Sequence, residues 1–462
     1  MRRHSTAAGG RGSASGRGVA GGHGAAGGHG AARRPSTRPR AAGAAALIAA
    51  WLWAPGAGAQ VVPLGGRTAQ MGGAATANGR DSAMPYLNPA GLAGLPKDLF
   101  ALSANIYGLS RLRISPFFIK EFAYPALVEE DAQSGQSVLR LPSSIMYLTS
   151  ASDESAPVRH KAGISLIIPA STKVTVQGRY RAVQPDIFSA DNDSRFFSYE
   201  YTDYNLGATY ALAVGDRLRF GATLFGRYTA SQSSEQSTRS YYSFNGVIQS
   251  NQAASSNWTS TTGSTWVKLG GQAELVRGLW AGAGLSTPTF LHWGSGKGAT
   301  TLALQGVGVT VNEKVTNVAD VRDRLPLSAN FGLSYERPEA FALSLDVTHT
   351  RGLEGASEAR GTGRVNSSVT GEIIRDFARS YESSSRLLPV TNLAAGGELW
   401  VRPWLALRVG GFTSFNSLDD PDPAVASAYY GTADTFGLTG GLGLMFGPTE
   451  TSLGVCFQRS TG

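Results

Sequence analysis

Residues 341–349 read Phe-Ala-Leu-Ser-Leu-Asp-Val-Thr-His, which sets Phe341, Leu343, Leu345, Val347 and His349 on one face and Ala342, Ser344, Asp346 and Thr348 on the other. The period is two, so the segment is a strand with one apolar and one polar face. The same division recurs at 325–336, where Leu327, Ala329, Phe331, Leu333 and Tyr335 oppose Ser328, Asn330, Gly332, Ser334 and Glu336. At 217–228, Leu218, Phe220, Ala222, Leu224 and Tyr228 oppose Arg217, Arg219, Thr223 and Arg227; at 265–275, Val267, Leu269, Ala273 and Leu275 oppose Lys268, Gln272 and Glu274.

A soluble sandwich has the same period, so alternation alone does not choose the membrane. Strand length and loop asymmetry do. The pattern predicts strands near 98–109, 138–150, 160–170, 196–212, 217–231, 262–276, 278–290, 325–336, 340–350, 390–401, 404–416, 434–446 and 450–458. Most exceed the ~9–11 residues needed to cross a bilayer obliquely. Tight turns are expected at 213–216, 277–278, 337–339, 402–403 and 447–449, alternating with long polar loops at 171–195, 232–261, 291–324, 351–389 and 417–433. Short turns on one side and long loops on the other are the habit of outer-membrane barrels. Trp280, Trp400 and Trp404 flank tight turns and are expected to form an aromatic girdle there. A barrel whose first and last strands pair antiparallel needs an even number. Thirteen are read, and the fourteenth is expected to be missing, by truncation or as an element uncounted in 110–137 or in a loop.

The N-terminal region is of another kind. The first forty residues carry eight arginines and no acid; an apolar run at 41–53 follows, then a small-residue stretch ending Ala57-Gly58-Ala59. Basic region, short apolar region and Ala-x-Ala site make a secretory signal, residues 1–59, with cleavage before Gln60. Its removal changes the charge argument. Of 41 Lys plus Arg the leader holds eight, leaving 33 against 33 Asp plus Glu. The mature chain is formally neutral and has no basic stripe for nucleic acid. One cysteine, Cys456, excludes an intramolecular disulfide framework.

Between leader and strands, at 60–97, lies a glycine-rich segment containing Met71-Gly72-Gly73-Ala74, Asp81 and Asn88-Pro89-Ala90. This segment resembles the hatch of the outer-membrane long-chain fatty-acid transporter (FadL/TodX-like) family. The resemblance implies an all-β transmembrane antiparallel barrel of about fourteen strands over 98–462, plugged by residues 60–97. It further implies a monomer in a Gram-negative outer membrane that binds a fatty acid or other hydrophobic compound at its outer loops. Release then follows hatch movement and lateral diffusion into membrane lipid. The family's third strand is kinked to open the wall, and Pro169 falls on the third strand here; a proline also merely ends strands. Related barrels serve as docking scaffolds for secretion machinery, and a general diffusion porin is a third reading.

Little in the chain points to bond-making chemistry. His160, His292 and His349 are widely separated, no Gly-x-Ser-x-Gly elbow occurs, and neither metal nor cofactor is expected. The polar faces carry Asp203, Arg219, Arg227, Lys268, Glu274, Glu336, Asp346, Glu398 and Arg408. Such lumen charges usually face water or pair with a plug. Arg219, Arg227, Lys268 and Arg408 are candidates to hold a ligand carboxylate.

Overall fold

The computed structural model describes residues 64–95, 98–104, 108–112, 127–138, 142–152, 156–184, 189–242, 248–306, 309–369, 372–418 and 434–461. The signal reading at 1–59 and most of the loop at 417–433 lie outside them.

Among the described residues, two one-turn helices, α1 (Arg67–Gln70) and α2 (Met84–Leu87), and a 3-10 segment at Pro89–Gly94 precede nineteen strands. These are β1 (Leu99–Ala104), β2 (Gly108–Leu112), β3 (Leu127–Val138), β4 (Pro142–Ser150), β5 (Val158–Gln184), β6 (Ser189–Val214), β7 (Leu218–Tyr242), β8 (Ile248–Val276), β9 (Leu279–Ser286) and β10 (Phe290–Gly306). They continue with β11 (Val309–Asp323), β12 (Ser328–Arg337), β13 (Phe341–Thr350), β14 (Leu353–Val369), β15 (Glu372–Leu387), β16 (Val390–Arg402), β17 (Leu405–Ser414), β18 (Asp434–Phe446) and β19 (Thr449–Thr461). Every pairing is antiparallel. The order β1-β4-β5-β6-β7-β8-β9-β12-β13-β16-β17-β18-β19 makes thirteen adjacent runs, at the positions the alternation predicts. Among the described residues, β1 and β19 are each paired on one side only. The described residues of 110–137 belong to β2 and β3, which pair with each other and with β5 and add no further run to these thirteen.

The wall is inside-out compared with a soluble protein. On β13, Leu343 and Leu345 are 57% and 52% exposed, while Ala342, Ser344 and Asp346 between them are buried. Exposed Phe331, Leu333, Leu206, Leu224, Val409 and Leu438 continue the outer face. Large apolar side chains in a continuous exposed band are what lipid contact demands and water does not tolerate. Among the described residues no helix is long and apolar enough to cross a membrane.

The polar loops are a correction. Most of 171–195, 232–261, 291–324 and 351–389 is strand, and β5 to β8 run for 25 to 29 residues. At ~3.3 Å per residue that is about 80–95 Å, far more than a bilayer. The wall therefore continues as a sheet ordered β2-β3-β5-β6-β7-β8-β10-β11-β14-β15. It is held partly by hydroxyl pairs across strands: Ser194–Thr238 at 2.6 Å, Ser231–Ser260 at 2.7 Å, Ser255–Thr301 at 2.7 Å. Polar residues on both faces hide the period-two signal that marks the membrane portion.

A seam separates the two portions. The strand pairs break at 287–289, 324–327, 351–352 and 388–389, and three of these breaks contain Pro288, Pro326 and Pro389. Proline has no N–H to give the ladder. The girdle expectation also needs correcting. Trp280 is buried, with the Arg219 guanidinium 4.1 Å from its ring centroid, and Trp400 shares the lumen face with Glu398; Trp404 alone of the three is exposed. An aromatic row does exist near the other end of the band, Tyr204–Tyr228–Trp293, with centroids 6.2 and 6.0 Å apart.

Candidate functional site: the hatch and the wall around it

The segment from Leu64 to Leu95 lies within the curve of the wall and bonds to strands along nearly its whole circuit. Ser82 meets Ser144 of β4 at 2.7 Å, and Lys161 of β5 donates to the Leu95 carbonyl. The Asn88 amide donates to Gly271 O of β8 at 3.2 Å and Ala283 O of β9 at 3.3 Å. The Asp346 carboxylate of β13 accepts from Ala75 N at 2.7 Å and Thr76 N at 2.8 Å. Thr439 of β18 donates to Gln70 O at 2.8 Å and accepts from Gly72 N at 2.9 Å. A segment this short reaches so many strands only if the sheet curls round it. That makes the molecule a plugged barrel of antiparallel strands, and the plug sits near the tight-turn end.

Each hatch residue nominated from the sequence has a local task. Gly72 and Gly73 take φ of +69° and +86°, which a side chain would strain. Met71 is wholly buried, with its backbone against Gly396 and Gly410 of β16 and β17. Asp81 turns inward on the hatch itself, accepting from Thr68 N at 2.7 Å and Ala83 N at 3.0 Å. Burial pushes its carboxyl above the usual range, and those amide hydrogen bonds oppose the shift. Asn88 caps the 3-10 segment by accepting from Ala90 N at 3.1 Å and donates back to Thr76 O at 2.7 Å, with Pro89 opening the turn. The wall's contribution was not apparent from composition. A Cβ at Gly221, Gly270, Gly396 or Gly410 would collide with hatch atoms at Pro89, Asn88, Met71 or Gly72. Glycine here gives the plug room.

The four cations nominated as ligand contacts all lie on the lumen side, and three are engaged with carboxylates or an aromatic ring. Arg408 donates Nε to Glu398 at 2.6 Å and pairs with Glu450 at 2.6 Å, while Glu398 also takes Arg67 Nε at 3.0 Å and Nη2 at 3.1 Å. Arg227 bridges Asp203 (3.0 Å) and Asp323 (3.1 Å) and donates to Tyr201 at 2.9 Å. Arg219 stacks on Trp280 beside Gly94 of the hatch. Lys268 differs: it is 5% exposed and bonds to neutral partners, Asn330 Oδ1 at 2.7 Å and Ser286 Oγ at 3.1 Å. Asn330 in turn donates to hatch atoms, Thr76 Oγ1 at 2.8 Å and Leu87 O at 3.3 Å.

Pro169 does not end its strand. It lies inside β5, where Ile167 pairs with Asn205 and Ala170 with Asp203, so Ile168 and Pro169 together oppose one residue of β6. That is a β-bulge. On the other edge, pairing with β4 stops at Ile167 and pairing with β3 starts at Gln177. Among the described residues, β5 is therefore unpartnered on that side over 168–176, about 30 Å of strand. The gap borders an apolar layer on the hatch, where Leu64, Ala83, Ile167, Phe225 and Trp266 pack with Tyr86 and Leu87.

No protein-family description matches the chain, and no curated protein does. Solved structures do match. A CymD monoaromatic hydrocarbon channel is similar at TM-score 0.53 and 14% identity, over 87% of this chain and 95% of that one. A FadL homologue from Pseudomonas aeruginosa is similar at TM-score 0.53 and 13% identity, over 88% and 91%. The likeness is one of fold, and it is the fold that the hatch motif implies: a FadL-type plugged barrel.

Proposed function

We propose that this protein is an outer-membrane channel for uptake of hydrophobic compounds, in which the hatch blocks the lumen and the ligand leaves sideways at the β5 gap. The observation that carries the reading is the meeting of three features at Ile167 of β5: it packs in the plug's apolar layer, the Pro169 bulge follows it, and the edge left unpartnered among the described residues begins beside it. Backbone groups left unpaired toward lipid cost several kcal/mol each, so such a gap is not a neutral feature of a membrane wall. A hydrophobic ligand reaching it enters lipid without crossing water. The neighbours' names, one a monoaromatic hydrocarbon channel and the other a FadL homologue, support this direction. Long-chain fatty acids remain one candidate ligand, with Lys268 as the cation best placed for a carboxylate, since no acid among the described residues pairs with it.

A porin reading is disfavoured by a plug that bonds to strands from β4 to β18. The test is uptake of labelled hydrophobic compounds by cells expressing the chain, against cells expressing a Pro169 deletion. Accumulation lost on deletion supports the reading. Wild-type cells that accumulate nothing, while a secreted protein partner co-purifies stoichiometrically, would replace it with the scaffold.

A further inference from the structure

The apolar layer above the hatch is built of rings. Phe225 and Trp266, both buried on the lumen face of β7 and β8, are stacked with centroids 4.5 Å apart and planes at 18°. Tyr86, the aromatic residue of α2, stands beside the stack and steeply inclined to both rings: 5.5 Å and 85° to Trp266, 6.1 Å and 66° to Phe225. Edge-to-face pairing with a stacked pair is the arrangement that ring quadrupoles favour over plain apolar contact. Tyr86 belongs to the plug, and its partners belong to the wall. Movement of α2 away from the wall would leave a ring-shaped vacancy bounded by Phe225, Trp266, Ile167 and Leu64.

The charged groups nearest this place are already committed. Trp266 donates Nε1 to Asn205 Oδ1 at 2.8 Å, Asn205 donates to Asp203 at 2.8 Å, and Asp203 holds Arg227, whose other nitrogens bond to Tyr201 and Asp323. The chain of bonds fixes the Trp266 ring and commits four of the five Arg227 N–H groups to protein acceptors. Ile167, on the slot wall, is also the last β5 residue paired with β4 before the gap. The slot and the lateral exit share a residue.

We propose that Tyr86 is a stand-in for the ligand: it occupies a slot against Phe225 and Trp266 that takes an uncharged aromatic molecule of one or two fused rings when the hatch moves. The proposal rests on the uptake reading above and deepens it by naming the ligand class. The ligand competes with the protein's own ring, so removing that ring strengthens binding, whereas removing a wall ring weakens it.

The experiment is equilibrium binding to the purified full chain in detergent micelles, with three probes: naphthalene, its saturated counterpart decalin, and decanoate. Wild type is expected to prefer naphthalene to decalin by about twofold to tenfold, the range that ring geometry adds beyond area. Tyr86→Ala is expected to bind naphthalene about tenfold tighter, since the vacant slot no longer has to be uncovered. Phe225→Leu is expected to erase the preference. Decalin or decanoate binding as well as naphthalene overturns the ligand class, as does an unchanged or lower naphthalene affinity in a folded Tyr86→Ala barrel. The probe comparison needs no variant, so it stands even where a substitution fails to fold. Wild type that binds none of the three defeats the uptake reading itself, a result distinct from equal binding of all.

Discussion

Glu398→Ala is the sharpest test of how the hatch is held. The Glu398 side chain is 3% exposed and accepts three hydrogen bonds, two from Arg67 of the hatch and one from Arg408 of the wall. Removing one partner from a buried ion pair costs about 3–5 kcal/mol, mostly because the other charge is left uncompensated. Here the loss divides unequally. Arg408 keeps Glu450 at 2.6 Å, Ser452 at 2.9 Å and Gln70 at 3.3 Å, so its charge stays paired. Among the described residues, Arg67 keeps one hydrogen bond, to Asn78 O at 3.2 Å within its own segment, and the Glu336 and Asp81 carboxylates act on it only through space. The penalty thus falls on the docked hatch, and the lower end of the range, about 3 kcal/mol, is the appropriate figure. That raises the undocked population by about a hundredfold. The assay is planar-bilayer conductance together with tryptic cleavage at Arg67 and Arg80: the variant should show long-lived openings and rapid hatch cleavage, and Glu398→Gln a smaller effect. A Glu398→Ala barrel as closed and as protease-resistant as wild type would refute the claim that this ion cluster anchors the plug.

Gly396→Val and Gly410→Val place methyl groups where Met71 and Gly72 lie; both should fold as barrels yet conduct in the same bilayer assay, by steric exclusion of the hatch. Deleting Pro169 removes the extra residue opposite Tyr204 and lets β5 and β6 pair continuously, so uptake should fall while cold-gel mobility of the folded barrel is unchanged. Ser255→Ala breaks a hydroxyl pair in the outer sheet and should lower stability by no more than about 1 kcal/mol, measured by urea unfolding in micelles. N-terminal sequencing of the protein from outer membranes should begin at Gln60.

The membrane strands were legible because lipid on one side and lumen on the other force a strict period of two. Leu343/Ser344/Leu345/Asp346 could hardly be read otherwise, and the tight turns at Gly215, Gly278 and Gly447 have the positive φ their glycines suggest. The hatch was legible through its Met-Gly-Gly-Ala and Asn-Pro-Ala steps. The outer sheet was not, since water bathes both its faces and nothing enforces alternation there; Ser, Thr and Asn in such runs read as loop. The signal that could have found it is the spacing of Pro288, Pro326 and Pro389, which mark where paired strands are interrupted at one height. The wall glycines were hidden in a glycine-rich composition, and Trp280 was misplaced because nearness to a turn does not say which face a residue takes.

On the proposed uptake reading, the distribution of bonds on the hatch argues for which part of it would move. Residues 67–78 are tied by ion pairs and charged hydrogen bonds to β13 and β16, and by Thr439 to β18. The end at 88–95 is tied by Asn88 and by Lys161 to β8, β9 and β5. Between them, from Asp81 to Leu87, the bonds to the wall among the described residues are those of Ser82 with Ser144 and of Leu87 O with Asn330; Tyr86 and Leu87 add apolar contact. Neutral hydrogen bonds contribute about 0.5–1.5 kcal/mol each, and an apolar contact can be exchanged for another apolar surface at little cost. A hydrophobic ligand replaces the Tyr86 contact in kind, whereas it cannot replace the pairing of Arg67 with Glu398. The segment facing the β5 gap is therefore also the segment that a hydrophobic ligand can displace, and both flanking anchors can stay in place while it does.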